Sequence, residues 1–446
     1  MHYLNTENNI IALASGKGVG SVDIVRISGP DLNGVYRLIT GLKKIGLHGM
    51  IKKQKIYSLK NGELIDTSMI VFFKGPKSFT GQDVIEINCH GGGYISKSII
   101  EDFCSTKYIR SALPGEFLFR AYINKKVDLV QAESINQIIS SESLIEKNKS
   151  LENIEGKLSN KILNIKRNLT NLLITIEHEL DFDESEIMHL SEKQLVTKVK
   201  VIRKDIESIG MCYFFSKSIQ SGIRVLLLGR PNVGKSSIYN ELLGVNRSIV
   251  SEQAGTTRDV VESMLEINGH RVVLIDSAGF WESADKIERM GIDKTRSEIK
   301  IADIILLIGE SEEDMEPFTA LIKNKKTIKV FSKIDLKPKI EGCLGVSSVK
   351  SLGFESLSTA ISTCITKNFL KKSGENEYLI NKRQHKIILQ CVKQLKFIEK
   401  ELKGPVCGDV LAELLHGVMG EFNNIVEPTD REDIINNIFS GFCIGK

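Results

Sequence analysis

Residues 229–236 read GRPNVGKS, between the apolar run IRVLLLG and the amphipathic stretch SSIYNELL. Gly229 and Gly234 permit a backbone path whose N–H groups turn inward on an anion, and the helix that follows adds positive potential at its first turn. This is a phosphate-binding P-loop in strand–loop–helix context, with Asn232, Val233 and Gly234 supplying the cradle. Lys235 is placed to meet the β- and γ-phosphates of a nucleotide, and Ser236 to ligate Mg²⁺, with Ser237 beside it.

The remaining parts of a GTP site follow in order. Thr257 in GTTRD (255–259) suits a switch threonine that reaches Mg²⁺ and the γ-phosphate. Asp276 in DSAG (276–279) closes an apolar run and can hold a Mg²⁺-bound water, while the Gly279 N–H can point at the γ-phosphate. In SKID (332–335), Asp335 can accept two hydrogen bonds from guanine, which adenine cannot supply, and the stem of Lys333 can lie along the base. Ser347 and Ser348 in VSS complete that pocket. Serine at 332 stands where the guanine motif ordinarily begins with asparagine.

Hydrolysis needs a group that orients water. Ras-like enzymes use a Gln after the DxxG glycine; here that position is Phe280, followed by Trp281, and neither can polarise water. Glu288, in KIERMGI (286–292), is the nearest acid on a plausible helix; spacing alone favours a solvated helix glutamate over a catalytic one. Asn232 is open to two readings as well. It stabilises a turn, or it holds a monovalent cation beside the phosphates, with the carbonyls of SEQAGTT (251–257) curled over it.

The elements that carry these residues differ along the chain. Runs at 10–14, 22–27, 69–73 and 83–88 read as strands separated by the Gly-rich loops 16–20 and 90–93, giving a small α+β domain over 1–120. From 121 to 215 the period becomes helical: Leu158, Ile162, Ile165, Leu169, Leu172, Ile176 and Leu180 step by three and four. Residues 216–371 alternate apolar runs with helical segments, as in a mainly parallel doubly wound sheet. Over 372–446 the helical period returns through Ile388, Cys391, Leu395, Ile398 and Leu402, with further helical segments at 406–419 and 430–440. The fold class expected is therefore a multidomain protein, α/β plus all-α, with the nucleotide domain inserted into a discontinuous helical bundle.

Composition narrows the setting. The 446 residues are 41% hydrophobic and 26% charged, with a net charge of +4. That is ordinary for a globular protein and permits, without demanding, a nucleic-acid partner. No apolar run reaches the roughly 18–20 residues of a membrane span, and no signal-peptide pattern opens the chain; a cytoplasmic location is expected. The eight cysteines include no C-x-x-C pair, so reduced, buried thiols are expected rather than a zinc or redox site.

Taken together, GRPNVGKSS, AGTTRD, DSAGF-W-E and E-R-M-G-I resemble the G domain of the MnmE (TrmE) family of tRNA-modifying GTPases. FTGQDVIEINCHGG (79–92), PGEFLFRAYINKKVDLVQAE (114–133), EHELDF (177–182) and the terminal FCIGK (442–446) resemble the same family, so the likeness spans the chain. It implies an N-terminal folate-binding domain through which two copies dimerise, a helical domain, and an inserted Ras-like G domain. It further implies GTP hydrolysis promoted by K⁺-dependent pairing of G domains, with Asn232, Ser251, Gln253 and Thr256 matching the K⁺ positions, Ser236 and Thr257 the Mg²⁺ ligands, and Glu288 the acid that organises the catalytic water. Arg26, Glu86 and Lys126 match the folate positions. Family members act with an FAD-dependent partner, MnmG, and use methylene-tetrahydrofolate (or a 5-formyl form) to build an aminomethyl or carboxymethylaminomethyl group on carbon 5 of the tRNA wobble uridine. Departures from the family pattern include Gln82, Ser277, Ser332 and the segment NNIVEPTD (423–430). The competing expectation is a ribosome-assembly GTPase, which would carry an RNA-binding module after the G domain instead of a Gly-rich α+β domain before it.

Overall fold

The computed structural model describes residues 6–16, 18, 20–42, 47–181, 191–245, 261–276, 296–336, 344–370, 378–404, 407–428, 438–442 and 444–445. The chain divides into two compact units, one of residues 1–136, 154–187 and 407–446, the other of 137–153 and 188–406.

The first unit is built on a six-stranded sheet: β1 (Asn9–Leu13), β2 (Val22–Gly29), β3 (Ile51–Tyr57), β4 (Leu64–Phe73), β5 (Asp83–His90) and β6 (Ile109–Ser111), in the order β3-β4-β5-β2-β1-β6. Side chains alternate across it. Val25, Ile27, Ile70, Phe72, Ile85 and Ile87 share a core with helices α1 (Asn33–Thr40) and α2 (Tyr94–Cys104). The antiparallel register that pairs Ile27 with Ile85 also sets Arg26 opposite Glu86. Helices α3 (Glu116–Ile123), α4 (Leu129–Ser140) and α6 (Lys157–Asp181) follow, while α5 (Leu144–Ile154), between α4 and α6 in the chain, belongs to the second unit. The periodic face of α6 is buried from Leu158 to Ile176. Leu180 is the exception, 42% exposed at the helix end.

In the second unit, α7 (Glu192–Ser221) opens with a capping box formed by Ser191 and Gln194. It leads into the sheet β7 (Ile223–Leu228), β8 (Val261–Ile267), β9 (His270–Asp276), β10 (Ile304–Gly309), β11 (Lys326–Phe331) and β12 (Leu344–Gly345), with α8 (Lys235–Val245), α9 (Glu312–Thr319) and α10 (Phe354–Ile365) between strands. The order is β12-β11-β10-β7-β9-β8. All pairings are parallel except β8 on β9, where seven residues pair antiparallel from Val261–Asp276 to Ile267–His270. Strands β7 and β10 are buried on both faces, which is why they read as continuous apolar runs. The turn between β8 and β9 meets the start of α5: the Ile145 N–H donates to the Gly269 carbonyl at 3.4 Å, and Arg271 pairs with Glu142 at 2.8 Å.

After the sheet, α11 (Lys382–Glu401) returns along α7 and buries Ile388, Cys391, Leu395 and Ile398. The two helices approach so closely at Gly210 that a Cβ there would lie 2.9 Å from Ile388. The nucleotide sheet is thus inserted between two helices that pack on each other. In the first unit α12 (Gly408–Asn423) packs on α6, and Lys166 donates to Asn423 at 2.7 Å. Among the described residues no helix is long and apolar enough to cross a membrane.

One buried ionic cluster braces the first unit. Glu116, fully buried at the start of α3, accepts from Arg110 at 2.6 Å, from Arg120 at 2.8 Å and from the Leu113 N–H at 2.8 Å. Arg120 in turn donates to Gln82 and to the Asn8 carbonyl, both at 2.8 Å. Burial pushes the Glu116 carboxyl up, but these hydrogen bonds outweigh it and hold it below the ordinary glutamate value. Glu116→Ala leaves two guanidinium groups facing a void, and is expected to destabilise this unit by about 3–5 kcal/mol, read as a lower urea midpoint. Because the folded carboxyl titrates below its unfolded value, its contribution is present at neutral pH and is lost as pH falls through the folded pKa. In the alanine variant that acid limb of the stability curve should flatten.

Candidate nucleotide site

The P-loop leaves the end of β7 and enters α8 at Lys235. Its path is forced by close packing: a Cβ on Gly229 would lie 2.2 Å from the Ile308 carbonyl, so glycine alone lets the loop cross β10. Asn232 and Gly234 have φ of +65° and +93°, the left-handed turns that aim successive N–H groups inward. Val233 is buried and pins the loop, while Asn232, Ser236 and Ser237 are exposed.

Lys235 is buried, and its ammonium donates to the carbonyls of Gly229 at 3.0 Å and Arg230 at 2.7 Å. Burial lowers its pKa, and the nearby Asp276 charge only partly offsets this. A cation held by neutral carbonyls at a helix start fits an anionic phosphate. The parallel register that pairs Leu227 with Asp276 brings the carboxylate beside the P-loop, where it accepts from the Ser236 hydroxyl at 3.0 Å. A hydroxyl and a carboxylate so disposed are a hard-oxygen donor pair that suits Mg²⁺.

The base end lies at the same edge of the sheet. Ser332 is buried; its N–H donates to the Gly309 carbonyl at 3.0 Å and its hydroxyl reaches the same oxygen at 3.4 Å. Serine thus does tie the loop, but to the β10 end. Lys333, with φ +55°, donates to the Asn232 carbonyl at 3.0 Å and pairs with Glu310 at 2.5 Å. The half-buried Asp335 carboxyl is held below the ordinary aspartate value first by the Ser347 hydroxyl and less by Lys350. Ser347 is buried and fixed by reciprocal backbone bonds with Leu352 at 3.0 Å; Ser348 beside it is half-buried. The structure therefore brings Asn232, Val233, Gly234, Lys235, Ser236, Ser237, Asp276, Lys333, Asp335, Ser347 and Ser348 to one edge. Ser251, Gln253, Thr256, Thr257, Gly279, Phe280, Trp281 and Glu288 lie outside the described residues. Glu310 was not singled out in the sequence; its signal is the acidic turn ESEED that directly follows β10.

A second cluster occupies the first unit. Arg26 pairs with Glu86 at 2.8 Å, donates to the Gly445 carbonyl at 3.3 Å, and has the rings of Phe79 and Phe117 within 5.5 and 5.8 Å. Lys126 donates to the Pro76 carbonyl at 3.1 Å, on the loop that also carries Phe79. The expected folate trio is thus an Arg–Glu pair plus a lysine on a shared loop. Lys126 also lines a cavity of about 470 Å³ with Tyr122, Gln131 and Glu427. Cys443 lies outside the described residues.

Comparison with known proteins agrees with this layout. The family model for the MnmE helical domain matches residues 129–443, and that for the GTP-binding protein TrmE N-terminus matches 9–126. The chain belongs to the MnmE family. Curated relatives named tRNA modification GTPase MnmE span it end to end. That of Clostridioides difficile is 32% identical over 99% of both chains. The Aquifex aeolicus protein is 33% identical over 98% of this chain and 99% of its own. Among solved structures, the G domain of the T. maritima FeoB iron transporter aligns at 25% identity over 32% of this chain and 98% of that one, with a TM-score of 0.26.

The base pocket yields a sharp test. In Asp335→Asn the amide replaces one acceptor by a donor, which clashes with guanine's exocyclic amine but suits the carbonyl of xanthine. GTP affinity is expected to fall by about 10²-fold or more while that for xanthosine triphosphate rises, measured by competition against a fluorescent nucleotide. An unchanged preference would remove Asp335 from the base pocket.

Proposed function

We propose that this chain hydrolyses GTP in the service of tRNA modification. The observation that carries the proposal is the Lys235 ammonium buried at the P-loop beside the Ser236–Asp276 pair, in a chain aligned over its whole length with tRNA modification GTPases. Lys235, the P-loop N–H groups and the α8 terminus hold the phosphates. Ser236, with Thr257 and a water on Asp276, holds Mg²⁺, which when bound neutralises charge on the phosphate oxygens. Asp335, Ser347 and Ser348 read the base, with Lys333 along it.

The finer mechanism follows from what position 280 lacks. Phe280 cannot orient water, so Glu288 takes that part, orienting the nucleophile through a bridging water. Asn232, Ser251, Gln253 and Thr256 hold K⁺ where other systems present an arginine; such a charge is worth on the order of 10³–10⁵ in rate. The exposed side chain of Asn232, on a loop already turned toward the phosphates, supports that assignment. Gly279 donates its N–H to the γ-phosphate. Arg26, Glu86 and Lys126 hold a reduced folate, whose glutamate tail suits the basic groups and whose ring donors suit the carboxylate. The exposed edge of Phe79 beside Arg26 offers that planar ring an apolar wall. In this reading two copies pair through the N-terminal domain and act with an FAD-dependent MnmG-type partner at the wobble uridine, with methylene-tetrahydrofolate as one-carbon source.

The deciding experiment is nucleoside analysis of tRNA from cells lacking this protein, with and without complementation. Loss of 5-substituted wobble uridine that the wild-type gene restores is the expected outcome; an unchanged nucleoside profile overturns the reading. For the mechanism, exchanging Na⁺ for K⁺ at constant ionic strength should raise GTP turnover. Glu288→Ala should lower it by roughly 10²–10⁴ with nucleotide binding intact. Equal rates in the two salts, or a near-normal variant, would discard the cation or the glutamate respectively.

A further inference from the structure

The segment after β10 braces the nucleotide loop at two points. Glu310 pairs with Lys333 at 2.5 Å, and the same ammonium donates to the Asn232 carbonyl of the P-loop at 3.0 Å. Four residues on, Asp314 meets Arg230 at 3.4 Å, and its carboxylate accepts the Glu310 N–H at 3.1 Å. One acidic turn thus grips the P-loop from both sides, through Arg230 and through Lys333. Lys333 needs such restraint: its φ of +55° is a left-handed conformation that a lysine adopts at a cost. Its neighbour Ser332 cannot supply it. The serine hydroxyl ends one atom beyond Cβ and is directed to Gly309, whereas an asparagine amide carries both a donor and an acceptor further from the backbone.

We infer that Glu310 is a positioning residue for guanine nucleotide binding: it holds Lys333 against the P-loop and replaces the tether that Ser332 is too short to make. The inference rests on the guanine reading of this pocket. The carboxylate acts through the lysine, and a charge-assisted bond of this length is among the stronger kinds. Its effect is exerted through Lys333, the residue read as lying along the base, and through the backbone carbonyl of Asn232 rather than its side chain. It should therefore act equally on GTP and GDP, and on affinity rather than on the chemical step.

The test uses the full-length chain and fluorescent GDP and GTP analogues. Glu310→Gln should raise Kd for both nucleotides about tenfold and speed GDP release to match, since a hydrogen bond to a charged group is worth about that factor. The kcat at saturating GTP should stay within about twofold, because the chemical step is untouched. Glu310→Asp should recover part of the affinity. Adding Ser332→Asn to Glu310→Gln should recover most of it, which a merely structural glutamate would not allow. Unchanged affinity in Glu310→Gln, a parallel fall in kcat and in thermal stability, or no recovery in the double variant each overturns the inference. A wild-type chain that fails to bind guanine nucleotides overturns the pocket itself. Wild-type binding with an indifferent Glu310→Gln overturns the brace alone.

Discussion

The nucleotide site depends on one expensive placement: the ammonium of Lys235, taken out of water at the end of the apolar strand β7 and hydrogen-bonded to carbonyl oxygens. A buried cation bonded to neutral dipoles is poised for an anion, because a phosphate supplies opposite charge that the nearby Asp276 provides only in part. The constraint reaches back into the sheet. The apolar residues of β7 and β10 lock the strands in register, and that register places Asp276 next to Ser236 and lets the loop cross at Gly229. A one-residue slip would turn each buried side chain of β7 to the opposite face and carry Asp276 out of reach.

The first unit solves a similar problem differently. There the buried carboxylate finds its counter-charge within the protein: Glu116 is saturated by two arginines and a backbone N–H, and Arg120 passes the restraint on to Gln82 and Asn8. Arg26 and Glu86 lie between the two extremes. They are paired, yet about one-fifth of each side chain remains open to solvent, so an incoming acid or donor can compete for either.

Much of this was legible from residue types alone, and the reasons are physical. The P-loop, the strand-closing Asp276 and the SKID segment are local devices whose backbone demands particular residues. The apolar runs of β7 and β10 are long enough to declare burial on both faces. Strand β3 was hidden because IKKQKIY carries three lysines on an exposed edge. Strand β8 was hidden because VESMLEI, at an edge of the second sheet, mixes glutamates with apolar residues. The Arg26–Glu86 pair depends on an antiparallel register across 60 residues of sequence, which no local pattern encodes. Leu180 kept the helical period but ran past its cover. The pairing of Glu310 was hidden because Lys333 lies 23 residues on, beyond the end of β11. The roles of Glu288 and the 251–257 loop rest on matching motifs.

The hairpin of β8 and β9 has one end at the P-loop and the other at the start of α5. Its seven paired rungs run from Val261–Asp276 to Ile267–His270, and its turn is gripped by Ile145 and Glu142. A ladder of about 20 Å built this way is stiff along its length, since hydrogen-bonded rungs admit whole-residue steps and no fractions of one. The ladder thus joins Asp276 by continuous backbone pairing to the tip that Ile145 and Glu142 hold.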